Sequence, residues 1–332
     1  MRQADLAEEK HIGVVVIGRN EGERLLRCLR SLIGSVDAII YVDSGSTDHS
    51  AEAASELGVD VLSLDLNIPF TAARARNEGF AHLIKIAPSL KYVQFVDGDC
   101  EVVPGWIDKA AAFLNKKQMV AVVCGRRRER YPDRSIYNLM CDIEWDTPVG
   151  KTKSCGGDAL MRVDAFQAVG GYRNQLIAGE EPELCIRLRG KSWEIWRLDK
   201  EMTLHDAAIT RVRQWWSRCV RSGYAYAEGV HLHGAPPEMH RVKESRRVWI
   251  WGLAIPVVTI ILVTWLGTLG LLMLLIYPTQ IVRLALSGTR SEMENWWRAL
   301  FLVLGKFPEA MGELNFCYNR LAGKSARLIE YK

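Results

Sequence analysis

Short apolar runs alternate with helical patterns along the first hundred residues of the chain. Short, mainly apolar segments of strand length cover residues 12–18, 37–43, 59–65 and 91–97. In the segments between them, apolar residues recur every three or four positions, as they do along one face of a helix. Strands that alternate with helices predict an α/β domain with a mostly parallel, doubly wound, Rossmann-like sheet.

Polar residues stand where three of these predicted strands end. The three segments are Gly-Arg-Asn-Glu at 18–21, Asp-Ser-Gly-Ser at 43–46 and Asp-Gly-Asp at 97–99. A parallel topology brings the carboxyl ends of its strands to one edge, and ligands of doubly wound sheets bind there. We therefore expect a ligand site at this edge.

The chain changes character near residue 248, where 35 consecutive residues, 248–282, carry no charge. One membrane-spanning helix needs about 20 apolar residues. A Gly-Thr-Leu-Gly turn near the middle favours a transmembrane hairpin of two helices, 248–266 and 269–286. Basic residues flank the run on both sides, which places both ends in the cytoplasm. The alternative is a helical hairpin buried in a soluble protein, whose core rarely needs such a long uncharged run.

The segment after the hairpin mixes aromatic and basic residues. Residues 294–324 contain Trp296, Trp297 and Phe301 beside Arg298 and Lys306. This pattern is typical of an amphipathic helix in the membrane interface, and a short third span is the alternative. The predicted organisation is an N-terminal tail (1–11), a catalytic domain (12–230), a basic linker (231–247), the hairpin (248–286) and an interfacial C-terminal segment (287–332).

Composition narrows the class of protein. The chain has 332 residues, 48% hydrophobic and 25% charged, which is ordinary for a folded protein. A formal charge of +4 is too balanced to indicate a nucleic-acid partner. The eight cysteines show no zinc-binding spacing, so we interpret them as reduced thiols of a cytosolic domain. The first eleven residues lack an apolar stretch, and no cleavable signal peptide is predicted.

Asp97 and Asp99 suggest a metal site. Residues i and i+2 of an extended chain point the same way, so both carboxylates could face one cation, Mg²⁺ or Mn²⁺. A loop open to water is the alternative. Gly157 and Asp158 form a second segment that a ligand could approach closely. Asp43 stands at a strand end, where it could bind a base or ribose.

A third acidic group lies at 180–183, where Glu180, Glu181 and Glu183 begin a predicted helix. Acids at a helix N-terminus are favoured by its dipole, but three within four positions exceed what capping requires. One of them could act as a general base. Further along, His205 and several arginines precede the hairpin; an amphipathic helix near the membrane also explains that pattern.

Taken in order, these segments resemble a family 2 glycosyltransferase with the GT-A fold. The matching stretches cover about 14–190; they are VVVIGRNEGERLLRCLRSL, YVDSGSTDHS, AARARNEG, FVDGDCEVVPGW, GGDALMRVDAFQAVGGY and GEEPELCIRLR. The resemblance implies transfer of a sugar, with inversion, from a nucleotide-diphosphate donor.

The resemblance also implies roles for single residues. The nucleotide-sugar contacts would be Ile17, Arg19, Asn20, Glu21, Asp43, Ser44, Arg76, Asn77, Asp97, Gly157 and Asp158. Asp99 would be the more direct ligand of Mn²⁺ or Mg²⁺, with Asp97 beside it and His205 as a further metal or diphosphate contact. Glu181 would be the base, with Glu180 or Glu183 as alternates.

Two departures from the family pattern bear on function. Ser44 stands where many members have a second Asp, and the Gln-x-x-Arg-Trp motif of processive synthases is missing because Cys219 occupies the Trp position. The sequence therefore predicts single-sugar addition to a lipid-linked or cell-envelope acceptor at the cytoplasmic membrane. The alternatives are a polyprenyl-phosphate glycosyltransferase and a non-catalytic nucleotide-binding membrane scaffold. The oligomeric state is not indicated.

Overall fold

The computed structural model describes residues 11–324, 328 and 329. Residues 1–10 of the predicted N-terminal tail, and 325–327 and 330–332 of the predicted C-terminal segment, lie outside the described residues. The chain divides into two compact units. The first holds residues up to Arg130, Asp142–Gln175 and Glu180–Ala207; the second holds Tyr131–Cys141, Leu176–Gly179 and the residues from Ala208 onward.

The first unit is an α/β domain. Its strands are β1 Ile12–Gly18, β2 Ala38–Asp43, β3 Asp60–Ser63, β4 Tyr92–Asp97, β5 Cys100–Val102, β6 Val120–Glu129, β7 Gly150–Thr152, β8 Ala159–Arg162 and β9 Glu194–His205. Its helices are α1 Glu23–Leu32, α2 Ser50–Glu56, α3 Ala72–Ile86, α4 Trp106–Lys116, α6 Val163–Ala168 and α7 Glu180–Gly190, while α5 Ile136–Glu144 begins in the second unit.

Within the described residues these strands form one nine-stranded sheet of order β3-β2-β1-β4-β8-β6-β9-β5, with β7 on β9. The first four pair in parallel, as predicted from the apolar runs. Beyond β4 the sheet is mixed, because β8 runs antiparallel to both β4 and β6. The parallel register sets Ile17 beside Asp97 and Gly18 beside Asp43, so the three polar strand ends meet at one edge.

The core explains why the central strands carry no polar alternation. Val14, Val15 and Val16 of β1 and Phe95 and Val96 of β4 are all fully buried. Helices cover both faces of a doubly wound sheet, so successive side chains on either face enter a core. Burial on both faces makes these strands read as continuous apolar runs.

The second unit is helical. It contains α8 Val212–His233, α9 Val242–Val248, a π-helical segment Trp249–Ala254, α10 Ile255–Leu266, a 3₁₀ segment Gly267–Leu275, α11 Ile276–Leu286, α12 Glu292–Leu304 and α13 Lys306–Leu321. Helix α8 thus belongs to this unit, whereas the predicted domain boundary falls at 230. The contacts that α8 makes with α13 account for the difference.

The apolar segment folds back on itself at Gly267, which has a positive φ of 61°. The Tyr277 hydroxyl donates a hydrogen bond to the carbonyl oxygen of Trp251 at 2.7 Å, although 26 residues separate them. The two arms are therefore antiparallel, and the reversal falls within the predicted turn. The stretch Val242–Leu286 is long and apolar enough to cross a membrane; its most apolar window has a mean hydropathy of 2.4 and is 11% buried.

The last segment forms two helices where the sequence predicted a single interfacial one. They meet at Gly305, and α13 packs closely on α8. A Cβ added to Gly223 would lie 1.9 Å from the carbonyl oxygen of Glu309, and one on Gly312 would lie 2.0 Å from that of Val220. The backbones of the two helices therefore touch, and only glycine fits at these positions. The interfacial location of this segment stays a prediction.

Candidate active site

Arg76 lies at the centre of the polar edge of the sheet. Thr71 caps α3 by accepting a hydrogen bond from the Arg74 amide at 3.0 Å, and Arg76 follows in the first turns. Its guanidinium is buried and donates from Nη1 to Oε1 of Glu180 at 2.8 Å and from Nη2 to Oδ1 of Asp97 at 2.7 Å. Burial alone would lower the pKa of Arg76, but the surrounding carboxylates raise it well above its ordinary value.

Arg127 is a second arginine at this edge, with 15% of its side chain exposed, and sequence reasoning missed it. Its Nη2 lies 2.8 Å from Oδ2 of Asp158 and 3.4 Å from Oδ2 of Asp97, and its guanidinium stacks on the ring of Trp145 at 5.4 Å. A basic run, residues 126–130, ends the apolar strand β6. That run was the available signal, because charges that follow a buried strand lie at a sheet edge.

Asp158 organises the segment before β8. Its carboxylate is fully buried. Oδ1 accepts a hydrogen bond from the Asp97 amide at 3.0 Å, and Oδ2 accepts one from the Thr203 hydroxyl at 2.8 Å. Asp158 thus fixes the backbone of Asp97. Among the described residues of this cluster, two guanidinium groups face four carboxylates, those of Asp97, Asp158, Glu180 and Glu181.

Because Gly157 has no side chain, a space stays open within this cluster. A Cβ at this position would lie 2.7 Å from Nη2 of Arg76, 2.9 Å from Oδ2 of Asp97 and 3.2 Å from Oε1 of Glu181. A Cβ on the preceding Gly156 would meet nothing within 4 Å. The missing side chain therefore opens a cradle bordered by one arginine and two carboxylates.

The three acids of α7 take different positions. Glu180 is buried and bonded to Arg76. Glu183 is buried and points elsewhere, since its oxygens accept hydrogen bonds from Arg173 at 2.7 Å and Arg187 at 2.7 Å. Glu181 keeps 15% of its side chain exposed, and its Oε1 lies 3.4 Å from Nη1 of Arg76. Of the three, Glu181 is the one exposed toward the cradle.

The surroundings of Glu181 change its acidity. Burial is the largest cause, and the negative charge of Glu180 adds to it; the positive charge of Arg76 acts in the opposite direction. Together they raise the pKa of Glu181 to about 7. A carboxylate with a pKa near neutrality can accept a proton efficiently at physiological pH.

The two aspartates of the Asp-Gly-Asp segment face different partners. A turn at Gly98 interrupts the extended backbone, and the Gly98 amide donates to the carbonyl oxygen of Ile17 at 2.8 Å. Asp97 faces Arg76 and Arg127, whereas Oδ1 of Asp99 lies 3.2 Å from Nε2 of His205. The sequence argument that residues i and i+2 point the same way required an extended chain, which the turn at Gly98 does not provide.

Asp99 and His205 suit a divalent cation. Both side chains are buried, and with Cys100 they form a group that could hold a metal ion. Two ligand atoms about 2.1 Å from an octahedral ion and about 90° apart lie about 3 Å from each other. The observed spacing of 3.2 Å matches this geometry. Asp97, Cys100 and Asp158 form a second such group; among the described residues, neither group contains both aspartates of the Asp-Gly-Asp segment.

The loops that follow β1 and β2 are hydrogen-bonded to each other at the neighbouring part of the sheet edge. The Asp43 carboxylate is buried and accepts hydrogen bonds from the Gly45 and Ser46 amides, each at 3.0 Å. Oδ1 of Asn20 accepts one from the Thr47 amide at 2.7 Å. Ser44, which is buried, donates its amide hydrogen to the carbonyl oxygen of Gly18 at 3.1 Å. These bonds hold the loop in shape beside the cradle.

Three remaining predicted residues lie around the cluster. Asn77 bonds both the amide and the carbonyl of Tyr172, at 2.9 and 2.7 Å, and so holds the loop before α7. Arg19 lies over the ring of Phe70 at 5.9 Å. Glu21 pairs with Arg24 at 2.7 Å, and its Cγ would lie 3.3 Å from a Cβ added at Gly98. Arg19 and Asn77 are therefore not part of the arginine–carboxylate cluster, and Glu21 packs behind it.

Comparison with known proteins identifies the domain. Residues 13–169 match the model of the family described as Glycosyl transferase family 2. The succinoglycan biosynthesis protein ExoA of Rhizobium meliloti (strain 1021) is 28% identical over 230 residues, which are 66% of this chain and 69% of that protein. The mannosyltransferase PcManGT from Pyrobaculum calidifontis has a TM-score of 0.57 at 14% identity, over 93% of this chain and 90% of that one. TarS of S. aureus (1–349) has a TM-score of 0.49 at 13% identity, over 95% and 93%.

The sheet order and the likeness to PcManGT show the GT-A fold. Residues 13–169, which lie in this domain, match glycosyltransferase family 2. The resemblance noted in the sequence is therefore confirmed. The roles of the individual residues stay predictions.

Proposed function

We propose that the protein transfers a single sugar, with inversion, from a nucleotide-diphosphate donor to a hydroxyl of a lipid-linked or cell-envelope glycan at the cytoplasmic face of the membrane. The observation that carries the proposal is the grouping at the end of β4. Around one glycine-lined cradle lie the buried guanidinium of Arg76, the carboxylate of Asp97 and a carboxylate with a pKa near 7, that of Glu181. Asp99 follows directly after that strand and lies 3.2 Å from His205.

The donor would lie along the carboxyl edge of β1, β2 and β4. The loops that begin at Gly18 and Asp43 offer backbone groups and carboxylates to a nucleoside, and ligands of doubly wound sheets bind at this edge. Gly157 lets a sugar approach Arg76 and Asp97 closely, because it has no side chain. PcManGT was solved in complex with GDP-Man and Mn²⁺, which supports a nucleotide-sugar donor and a divalent ion in this fold.

Asp99 and His205 would hold the divalent ion. Mn²⁺ or Mg²⁺ bound there would neutralise negative charge on the departing diphosphate. The chain's own part is to hold the two ligand atoms 3.2 Å apart in a buried place. Arg127 and Arg76 would hold Asp97 and Asp158 in position beside that ion.

Glu181 would remove the proton from the acceptor hydroxyl. Glu180 cannot readily do so, because its carboxylate is committed to Arg76, and Glu183 is held by Arg173 and Arg187. An acceptor phosphate is already ionised and needs no base. A carboxylate tuned to about 7 therefore favours a hydroxyl acceptor over a polyprenyl phosphate.

The apolar stretch 242–286 supports an acceptor at the membrane. ExoA is named for succinoglycan biosynthesis, a pathway that builds a polysaccharide, and this supports a glycan product. Basic residues before and after the hairpin support a cytoplasmic catalytic domain. Membrane lipids would then contact the hairpin and the last helices.

The proposal is tested by nucleoside-diphosphate release in membranes that contain the full chain. Uridine, guanosine and thymidine diphosphate sugars are supplied with and without Mn²⁺. We expect release with one donor class, dependent on the metal and lost in Asp99→Asn. Equal release from all membranes, with or without the protein, would contradict the proposed activity; metal-independent release would contradict the role of Asp99.

A further inference from the structure

The imidazole of His205 is held between two strands. His205 ends β9, where its register partners are Cys100 on β5 and Glu129 on β6. The Arg130 amide donates to the carbonyl oxygen of His205 at 2.8 Å, and the ring of Trp145 packs against the imidazole at 4.7 Å in an edge-to-face arrangement. The backbone and one face of the imidazole are therefore fixed by neighbours.

Glu129 faces the imidazole nitrogen that is turned away from Asp99. Its carboxylate is buried, and Oε2 accepts a hydrogen bond from the Ala207 amide at 3.0 Å. The same oxygen lies 3.8 Å from Nδ1 of His205. Within the described part of the chain, Nδ1 is buried and makes no hydrogen bond. His205 thus has a carboxylate at each ring nitrogen.

In its neutral form, which is the form that binds a metal ion, the His205 imidazole cannot donate to both carboxylates. A neutral imidazole has one N–H, so it can donate to only one of the two carboxylates. If Nε2 carries the hydrogen, the lone pair of Nδ1 faces the negative charge of Glu129. If Nδ1 carries it, two acceptor atoms, Nε2 and Oδ1 of Asp99, face each other at 3.2 Å. Only the second arrangement leaves two ligand atoms ready for a metal ion.

We propose that Glu129 is a positioning residue that selects this second arrangement. Its charge holds the hydrogen of His205 on Nδ1 and leaves the lone pair of Nε2 directed toward the ion shared with Asp99. The proposal rests on the metal-dependent function above and adds to it the residue that prepares the ligand. Carboxylates that bond the second nitrogen of a metal-binding histidine commonly act in this way.

The substitution that tests the proposal is Glu129→Gln. The amide oxygen of Gln can still accept the Ala207 hydrogen bond, so the strand end keeps its structure while the charge is lost. Without that charge, the imidazole hydrogen no longer favours Nδ1 over Nε2. Mn²⁺ must then compete with a proton for Nε2. The full chain, purified in detergent, is titrated with Mn²⁺ alone, and free Mn²⁺ is followed by electron paramagnetic resonance.

We expect Glu129→Gln to weaken Mn²⁺ binding by about 10- to 100-fold, with an unchanged melting temperature. Glu129→Asp keeps the charge at a greater distance and should lose less affinity. Glu101→Gln is the matched control, since Glu101 lies on the adjacent β5 and pairs with Arg130 instead of His205. It should bind Mn²⁺ as the wild type does.

The outcomes separate the two proposals. If Asp99→Asn abolishes Mn²⁺ binding and Glu129→Gln leaves it unchanged, the role of Glu129 is overturned and the metal site stands. If Asp99→Asn binds Mn²⁺ as tightly as the wild type, the metal site itself fails. If Glu129→Gln does not fold, Glu129→Asp decides: affinity equal to that of the wild type overturns the role.

Discussion

Nη2 of Arg76 bonds Oδ1 of Asp97 at 2.7 Å, which ties the end of β4 to a helix that lies before it in the chain. The same guanidinium bonds Glu180 at the start of α7. One buried cation therefore connects the Asp-Gly-Asp segment with the acidic segment of α7. Because Arg76 is committed to Asp97 and Glu180, the adjacent Glu181 is only partly neutralised and keeps its raised pKa.

Glu181→Gln should abolish transfer and leave donor binding intact. Gln has nearly the same shape but cannot accept the acceptor's proton, so we expect kcat to fall by about 10²- to 10⁴-fold. The measurement is product formation, together with donor affinity from thermal shift. Glu183→Gln is the matched control on the same helix; it should lower the melting temperature, since Arg173 and Arg187 lose their partner, while kcat stays close to that of the wild type. Equal loss in both variants would remove the special role of Glu181.

The rate should depend on pH through Glu181. The base must be ionised, and its pKa of about 7 means that half of the enzyme is active at that pH. Below it, kcat/KM should fall about tenfold per pH unit. Because the charge of Glu180 raises this pKa, Glu180→Gln should move the acidic limb of the profile to lower pH. A limb that stays in place would show that another group titrates.

Gly157→Ala should weaken donor binding. The added methyl group would lie 2.7 Å from Nη2 of Arg76, so the Arg76–Asp97 bond must shift. We expect KM for the donor to rise by about tenfold or more, since small displacements of positioning groups have large effects. Gly156→Ala adds the same group in open space and is the control. Identical kinetics for the two variants would mean that the cradle does not contact the donor.

Glu313 should make stability depend on pH. This carboxylate on α13 is fully buried beside Ser245, which donates to it at 2.8 Å; burial raises its pKa to about 7. The folded state therefore holds a proton more tightly than the unfolded state, and the resulting stability is lost as pH rises from about 4.5 through 7.

Glu313→Gln removes this dependence, because its amide is never charged. We expect a melting temperature several degrees above that of the wild type at pH 8 and little difference at pH 4. The measurement is a melt of the purified chain at both pH values. A variant that is less stable at pH 8 would show that the ionised carboxylate is stabilised in the fold.

Cysteine labelling tests the topology of the hairpin. All eight cysteines lie in the described range; seven are buried, and Cys317 is partly exposed. The Cys317→Ser variant should therefore react little with the label and serves as the background. In it, Thr268→Cys at the reversal should react with a membrane-impermeant maleimide in intact cells. Ala235→Cys, which precedes the hairpin, should react only after lysis. Labelling of both only after lysis would show that the reversal does not reach the far side.

The parallel half of the fold could be predicted from the sequence because a strand buried on both faces is apolar along most of its length. Strands β1, β2 and β4 are mostly apolar runs, and polar residues stand at or directly after the end of each. The antiparallel β8 was not predicted, since four residues of strand length carry no information on direction. The break between α12 and α13 was missed because Gly305 keeps helical dihedral angles, so no turn signal marks it.

The sequence predicted many of the residues that form the candidate site, but few of the contacts between them. Arg76, Asp97 and Glu180 meet across 104 positions of sequence, a distance at which no local pattern is informative. The turn at Gly98 sends the two aspartates to different partners, and nothing in a three-residue motif shows this. Arg127 lies in a run of charges that resembles a solvated strand end. Its role depends on Asp158, which is 31 residues further along.

The reversal at Gly267 has a consequence for the product. On the proposed topology the chain enters and leaves the membrane from the same side, so the sheet and both flanks of the hairpin share one compartment. A glycan made by this protein would therefore be assembled entirely on that side of the membrane.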